Sequence, residues 1–542
     1  MKRTIYRLIA LCLAVSVLLG GCGVIDLQGY FDRLAANAGL ATSFADMEYS
    51  RPDPDAIEAA QEACATMAAD ENTDFDDLVE KLDEFFVLYS AYSTAYCLSY
   101  IHYSIAMNDT YWETEYNYCA DHTTAVDACR DQLLYALADS HFRKDLEHPD
   151  YFGDGFFDAF DGESVWTDTF TELMEQESAL QNEYYRISSE ALSVEYYSKA
   201  YFETYAPQLA DLFVKMIRLR KQIAAEAGYA DYPSFAYEFY HNRDYTVSDA
   251  DGYLKDIEAH LVPLYRTVHT SNFWSQPLTP CTEDQTWQYV KTMSAAMGGM
   301  VHDAFKLMDG ADLYHIAYGE HKYSGSFEIY LNDYAEPFVF VSPTGNQWDK
   351  LTFAHEFGHF CNDYASGGTA AGVDVAEFFS QGMEYLRLCY VPDSDSLLRQ
   401  KMADSLSVFV EQAAYARFEH EVYKLSDAEL TTQNVEALYK TICSPYGFDE
   451  VPAWNTMDYV TVDHFFVAPL YVISYVVSND VAMQLYEMEQ AKKGSGLSCY
   501  TAQLATEEFY FLTFVEKAGL KSPFAPKRIE NVKATFTQIL GK

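Results

Sequence analysis

The sequence predicts a mainly α-helical protein with one small β-ribbon or sheet, and three observations carry that prediction. Only 26 glycines and 16 prolines occur in 542 residues, too few for the many turns of an all-β protein. Apolar residues recur at helical spacings of three and four through much of the chain. Strand-like composition is confined to one long stretch, residues 325–346.

The chain opens with MKRTIYRLIALCLAVSVLLGGC. Lys2, Arg3 and Arg7 precede an apolar run from Leu8 to Leu19 that is too short to span a bilayer, which needs about 20 apolar residues. Its ending, Leu19-Gly20-Gly21-Cys22, resembles a bacterial lipobox. Residues 1–21 are therefore expected to be a signal peptide, and the mature protein to be exported, lipidated on Cys22 and held at the extracytoplasmic face of a membrane. An ordinary signal peptide or an N-terminal anchor is the competing reading. No other segment is apolar for 18 unbroken residues, so contact with the membrane is expected only through that lipid.

Residues 26–56 read as a linker running into the first helices. Amphipathic helices are expected at 75–105, where Leu78, Leu82, Phe85, Phe86 and Tyr89 share a face, and at 125–138, 169–192 and 209–226. The stretch FGDGFFDAFDG at 152–162 reads as a loop between helices. Strands are expected at 326–331 and 338–342, bounded by Asn332-Asp333 and by Pro343-Thr344-Gly345. Three regions result: the signal at 1–21, an N-terminal helical region at 22–205 and a chemistry-bearing region at 206–542.

The formal net charge is −46, from 36 Lys plus Arg against 82 Asp plus Glu. Nucleic acid is thereby excluded as a partner, because phosphate recognition needs a clustered excess of basic side chains. Hydrophobic residues still make up 49% of the chain, so a large core is available and the acidity reads as solubility. Nine cysteines remain after Cys12 and Cys22. None forms a CxxC pair, and most read as small buried hydrophobes. Cys119 and Cys129 are close enough in sequence to pair in an oxidising compartment, though a chain of this size does not need disulfides to fold.

The helix after the strands contains His355-Glu356-Phe357-Gly358-His359. Histidines four apart project from one helical face and can share a single zinc ion, while Glu356 can reach a zinc-bound water without coordinating the metal. Roughly 0.03 such matches are expected by chance in a chain of this composition. A catalytic zinc needs a third protein ligand and an open position. A flexible loop at 365–372 leads to a second helix from Val373, on which Glu377 and Glu384 share a face about 10.5 Å apart along the axis. Spacing alone does not choose between them.

The stretch PFVFVSPTGNQWDKLTFAHEFGHF at 337–360, followed by AEFFSQ at 376–381, resembles the thimet oligopeptidase and oligoendopeptidase F family of zinc peptidases. The resemblance implies His355, His359 and Glu377 as ligands of one zinc ion and Glu356 as the catalytic base, and suggests a supporting role for Glu384. Residues 218–246 are similar to the family's helix and turn ahead of the catalytic region. Residues 463–475, DHFFVAPLYVISY, resemble the segment that supplies a histidine and tyrosines to the substrate carbonyl, which implies catalytic roles for His464, Tyr471 and Tyr475. Tyr471 and Tyr475, four apart, read as one helical face. Two departures stand out: the interval from His359 to Glu377 is short, and Asn362 replaces a histidine common in the family.

The resemblance implies a helical bowl around a deep channel and hydrolysis of internal bonds in short peptides. The strand at 338–342 is expected to add substrate backbone as an extra strand. The alternatives are a zinc carboxypeptidase on a similar helical scaffold, for which Arg243, Arg387 or Arg417 would supply a basic pocket, and a non-catalytic lipid-anchored peptide-binding protein.

Overall fold

The computed structural model describes residues 41–541 apart from 149–150, 154, 162–163, 192–193, 195–197, 270–277, 369–370, 392–393, 448–456 and 507. The expected signal peptide, Cys22 and the first part of the linker lie outside the described residues. The fold is mainly helical with one small sheet. The helices that position the site are, in chain order, α1 (Pro54–Ala69), α2 (Phe75–Ile105), α3 (Thr110–Ala138), α4 (Asp168–Ala191), α5 (Ala206–Glu226), α6 (Glu283–Met297), α7 (Gly299–Gly310), α8 (Asp349–Ser366), α9 (Val373–Tyr390), α10 (Ser394–Val422) and α11 (Ile473–Ala491). Among the described residues no helix is long and apolar enough to cross a membrane. Cys119 and Cys129 are both free thiols.

The chain divides into two compact units. One comprises Met1–Thr167, Leu278–Pro392 and Leu485–Phe509; the other comprises Asp168–Pro277, Asp393–Gln484 and Tyr510–Lys542.

In the first unit α1, α2 and α3 pack on one another. Each starts behind an aspartate that accepts a backbone N–H of the first turn: Asp53, Asp74 and Asp109. These caps satisfy amides that have no partner inside the helix and complement the positive end of its dipole. The loop expected at 152–162 contains a short 3-10 helix, Phe156–Phe160, because Phe157 and Phe160 are anchored in the core.

The sheet has three strands, β1 (Tyr314–Ile316), β2 (Phe327–Leu331) and β3 (Glu336–Val341), in the order β1-β3-β2. β2 and β3 form an antiparallel hairpin that places Phe327 opposite Phe340. The hairpin turns through a 3-10 segment, Asn332–Tyr334, and a left-handed Ala335. β1 pairs parallel to β3, with Tyr314 opposite Val339; its three residues are too short to stand out in the sequence. Every residue of β2 and β3 is buried, as expected of strands covered on both faces. β3 is thus the central strand, and the expectation that it adds substrate backbone is corrected. Its hydrogen-bonding edges are already taken by β1 and β2.

α8 packs on β3, β2, α6 and α7, and most closely on α9. Gly358, inside the HEFGH motif, makes that approach possible. A Cβ there would lie 2.5 Å from Phe379 O and 2.6 Å from Ser380 Cα, distances that backbone atoms cannot accommodate without moving the helices apart.

In the second unit α5 lies against α4. Its buried face follows the helical repeat through Leu209, Phe213, Met216, Ile217 and Ile223. Arg220 sits on that same apolar face and is fully buried.

Candidate metal centre and histidine–tyrosine cluster

The start of α8 is set by one carboxylate. Asp349, buried, accepts from the backbone N–H of Thr344 at 2.7 Å, Gly345 at 2.9 Å and Asn346 at 3.3 Å. The turn leaving β3 is therefore folded around the first residue of the helix, and the direction of α8 from the sheet is determined before the HEFGH motif is reached.

About two and three turns further on, His355 and His359 stand one above the other with ring centroids 5.2 Å apart. Facing them from α9 is Glu377. One donor atom from each of His355, His359 and Glu377 lies within 4.8 Å of the others. Two imidazole nitrogens and a carboxylate oxygen converging in this way fit the three-ligand set of a catalytic zinc. The imidazole orientations agree with that use. His355 Nδ1 donates to Glu384 Oε1 at 2.6 Å. Because an ionised carboxylate only accepts, the neutral ring that a metal ligand requires keeps its proton on Nδ1 and presents its lone pair on Nε2, the atom that faces Glu377 Oε2 at 3.6 Å. Ser380 Oγ donates to Glu377 Oε2 at 3.0 Å and fixes that carboxylate in turn.

The two glutamates that spacing left equivalent thus take different places. Glu377 belongs to the converging set and Glu384 orients His355. α9 is held beneath them by Tyr500, whose hydroxyl donates to Phe379 O at 3.0 Å. Asn362, at the position where the family often has a histidine, donates to Leu504 O at 2.8 Å and ties α8 to the chain behind it.

Glu356 is buried, and burial, reinforced by the charges of Glu377 and Glu384 and opposed by His355, pushes its pKa up to about 7. His355 moves to about 9: burial would lower it, but the Glu384 hydrogen bond and the charges of Glu377 and Glu356 outweigh that. Burial and the neighbouring His355 hold His359 well below the ordinary imidazole range. Metal-free and near neutral pH, His355 therefore carries a second ring proton, on Nε2, in addition to the one on Nδ1.

In the second unit His464, Tyr471 and Tyr475 come together. His464 lies 5.5 Å from Tyr471 and 5.6 Å from Tyr475, and the two phenol rings are 5.3 Å apart, centroid to centroid. They do not share a helical face. His464 begins a single turn, His464–Val467, the chain then bends at Ala468-Pro469-Leu470, and α11 starts only at Ile473. Leu470 has φ +63°, a left-handed conformation that costs a non-glycine residue roughly 1–2 kcal/mol.

Buried side chains from elsewhere in the unit hold that bend. His241 Nε2–H donates to Pro469 O at 2.8 Å, and Glu419 Oε1 accepts from Leu470 N–H at 2.6 Å, so both polar groups of one peptide bond are occupied. Arg220 donates to Phe465 O at 2.7 Å and to Phe466 O, and its Nε to Glu177 Oε1 at 2.7 Å. Arg243 donates to Ser474 Oγ at 2.9 Å and stacks over Tyr237 at 4.4 Å. His241 and Arg243 follow a single π-helical turn, Ala236–Tyr240, an irregularity frequent at functional sites.

None of these four supports was singled out for this task from sequence. The available signal was Arg220, a charge on the apolar face of a helix. Of the arginines proposed for a carboxypeptidase pocket, Arg243 supports α11, Arg387 donates to Glu384 O and to Tyr289 Oη, and Arg417 faces Glu258 at 3.5 Å.

Comparison with known proteins follows from this geometry. Residues 44–161 match the family model described as the peptidase M3 N-terminal domain. Among solved structures, a protein described as oligoendopeptidase F is similar with a TM-score of 0.81 and 21% identity, over 93% of this chain and 99% of that one. PZ peptidase A, solved with an inhibitor, is similar at 0.79 and 18% over 92% and 99%. A Bacillus anthracis protein described as oligoendopeptidase F is similar at 0.77 and 18% over 92% and 98%. A search of curated protein sequences finds no match.

Proposed function

Because the N-terminal match and the shared fold support a peptidase of the M3/oligoendopeptidase F family, we propose that this chain is a zinc-dependent oligoendopeptidase that cuts internal bonds of short peptides, exported and tethered to a membrane by lipid on Cys22. The observation that carries the reading is the convergence of His355, His359 and Glu377 within 4.8 Å, beside a buried Glu356 of raised pKa.

Zinc held by those three residues would supply Lewis acidity and lower the pKa of a water towards 7. The remaining chemistry belongs to the chain. Glu356, the base, takes a proton from the attacking water as its oxygen bonds to the peptide carbonyl carbon. It returns that proton to the leaving amine as the C–N bond breaks, so one water is consumed and a carboxylate and an amine are formed. A carboxyl group that titrates near neutrality suits both steps. Glu384 keeps His355 in the tautomer a metal ligand needs. By their resemblance to the family segment, His464 and Tyr475, with Tyr471 packed against both, take the role of donors to the developing oxyanion.

Glu356→Gln should lower cleavage of an internally quenched peptide by about 10³-fold while leaving stoichiometric zinc in place. Undiminished cleavage in that variant would sink the mechanism. A mixed peptide library, incubated with and without chelator, distinguishes internal cuts from terminal trimming, and the expected products are chelator-sensitive internal cuts. Cys22→Ala should move the protein from the membrane fraction to the soluble one; unchanged membrane attachment would remove the lipid anchor from the proposal.

A further inference from the structure

His464 is bracketed by two hydrogen-bonding groups. On one side, Asp463 Oδ1 lies 2.8 Å from the backbone nitrogen of His464 and 2.8 Å from its ring Nδ1. On the other, His464 Nε2 lies 3.1 Å from the hydroxyl of Tyr475 on α11. One carboxylate oxygen therefore ties both the backbone and the ring of the histidine. Since the carboxylate accepts only, Nδ1 carries the proton and Nε2 is the atom shared with Tyr475.

Two protonation states follow, with opposite consequences for the phenol. In neutral His464, Nε2 is a bare lone pair and accepts from Tyr475, whose single O–H is then occupied. In the imidazolium, Nε2–H donates to the phenol oxygen, and the Tyr475 proton is released to another acceptor. The imidazolium is the form that a neighbouring carboxylate favours.

We propose that Asp463 is a positioning residue that fixes His464 as the Nδ1–H tautomer and favours its imidazolium, so that Tyr475 is freed to donate its phenolic proton to substrate. The proposal rests on the reading of His464 and Tyr475 as oxyanion donors and adds the residue that controls them. It is specific to the pairing of Asp463 with the residue that follows it, and no metal ligand takes part.

Among the described residues, the groups seen to face or act on His464 are Tyr471, Tyr475, Glu419 and Asp463. Tyr475 and Tyr471 are neutral phenols in contact with the ring. Glu419 on α10 also senses His464, but its burial raises its pKa to about 7 and its charge is shared with Arg220 and Arg243. The charge and hydrogen bonds of the adjacent His464 hold Asp463 below the ordinary carboxylate range. Its Oδ1 lies 2.8 Å from the ring Nδ1. Its side chain is 55% exposed, so its replacement is expected to leave the fold intact, with far-UV circular dichroism as the check.

The test is a ¹⁵N-imidazole titration of the full zinc-loaded chain, with the His464 signal assigned by its loss in His464→Gln. In the unaltered chain the neutral ring should be the Nδ1–H tautomer. Asp463→Asn retains an acceptor but loses the charge, so the tautomer should persist while the ring pKa falls by about one unit. Asp463→Ala should lose both. Because loss of the charge destabilises the imidazolium, the alkaline limb of kcat/KM should move to lower pH by the same unit in Asp463→Asn, with about a tenfold loss on the limb. An unchanged ring pKa, an Nε2–H tautomer in the unaltered chain, or a ring shift with no shift of the limb would each overturn the proposal. Absence of any peptide cleavage by the zinc-loaded unaltered chain would overturn the peptidase reading instead, and the ring titration is independent of that result.

Discussion

The HEFGH region and the 463–475 segment each present a histidine paired through Nδ1 with a carboxylate, Glu384 for His355 and Asp463 for His464, yet they are built differently. The first is assembled from two consecutive helices, α8 and α9, joined by a short loop, and every functional group sits within 30 residues of the next. The second is an irregular bend whose supports, Arg220, His241, Arg243 and Glu419, lie between 51 and 246 residues away in sequence. Helical repeat is enough to bring His355 and His359 together. Only buried long-range hydrogen bonds hold a left-handed Leu470 in place, because such a conformation persists where its surroundings over-determine it.

That contrast predicts separable failures. The largest effect is expected from Arg220→Ala, which leaves Glu177 as an uncompensated buried charge and two carbonyls without donors. Unfolding free energy should fall by about 3–5 kcal/mol, read by urea titration, with zinc content per folded molecule unchanged. Loss of zinc at full stability would show that the bend and the metal centre are not separable. Glu384→Gln should do the reverse, weakening zinc binding by about 10–100-fold in a chelator competition with little change in stability.

Gly358→Ala sharpens the comparison within the first region. A methyl placed 2.5 Å from Phe379 O should cost about 1–3 kcal/mol, measured by thermal unfolding of the metal-free chain. A neutral effect would mean that α8 and α9 have room to separate. The smallest effect is a proton count. Because the metal-free His355 has a pKa of about 9, zinc taken up at pH 7.5 should displace about one proton from that ring, read by calorimetry in buffers of different ionisation enthalpy. No proton release would mean that His355 is already neutral.

Legibility in the sequence follows the same division. The helix expected at 75–105 is Phe75–Ile105, and the second helix of the metal centre starts at Val373 as expected, since amphipathic repeats, aspartate caps and glycine punctuation are local signals. The hairpin at 326–342 was legible for the same reason, whereas β1, three residues long, and its parallel pairing with β3 were not. The expected shared helical face of Tyr471 and Tyr475 failed at Pro469 and Leu470, where the chain turns instead of continuing as helix. Neither residue reveals by itself that His241 and Glu419 will hold both polar groups of their peptide bond.

By itself the sequence determined the helical character, the acidity of the chain, and the HEFGH pair with its two downstream glutamates. Those are consequences of composition and of periods of 3.6 and 2, which act between near neighbours. The choice of Glu377, which spacing left open, came from the family resemblance. Tertiary structure alone decided that β3 is central and closed to substrate addition, that Glu384 orients His355 through Nδ1, and that Arg220 reaches the turn after His464. Each of those depends on where a distant backbone carbonyl, carboxylate or strand edge comes to rest, and burial then makes that partner compulsory, because a charge or polar group removed from water must find its counterpart within the fold.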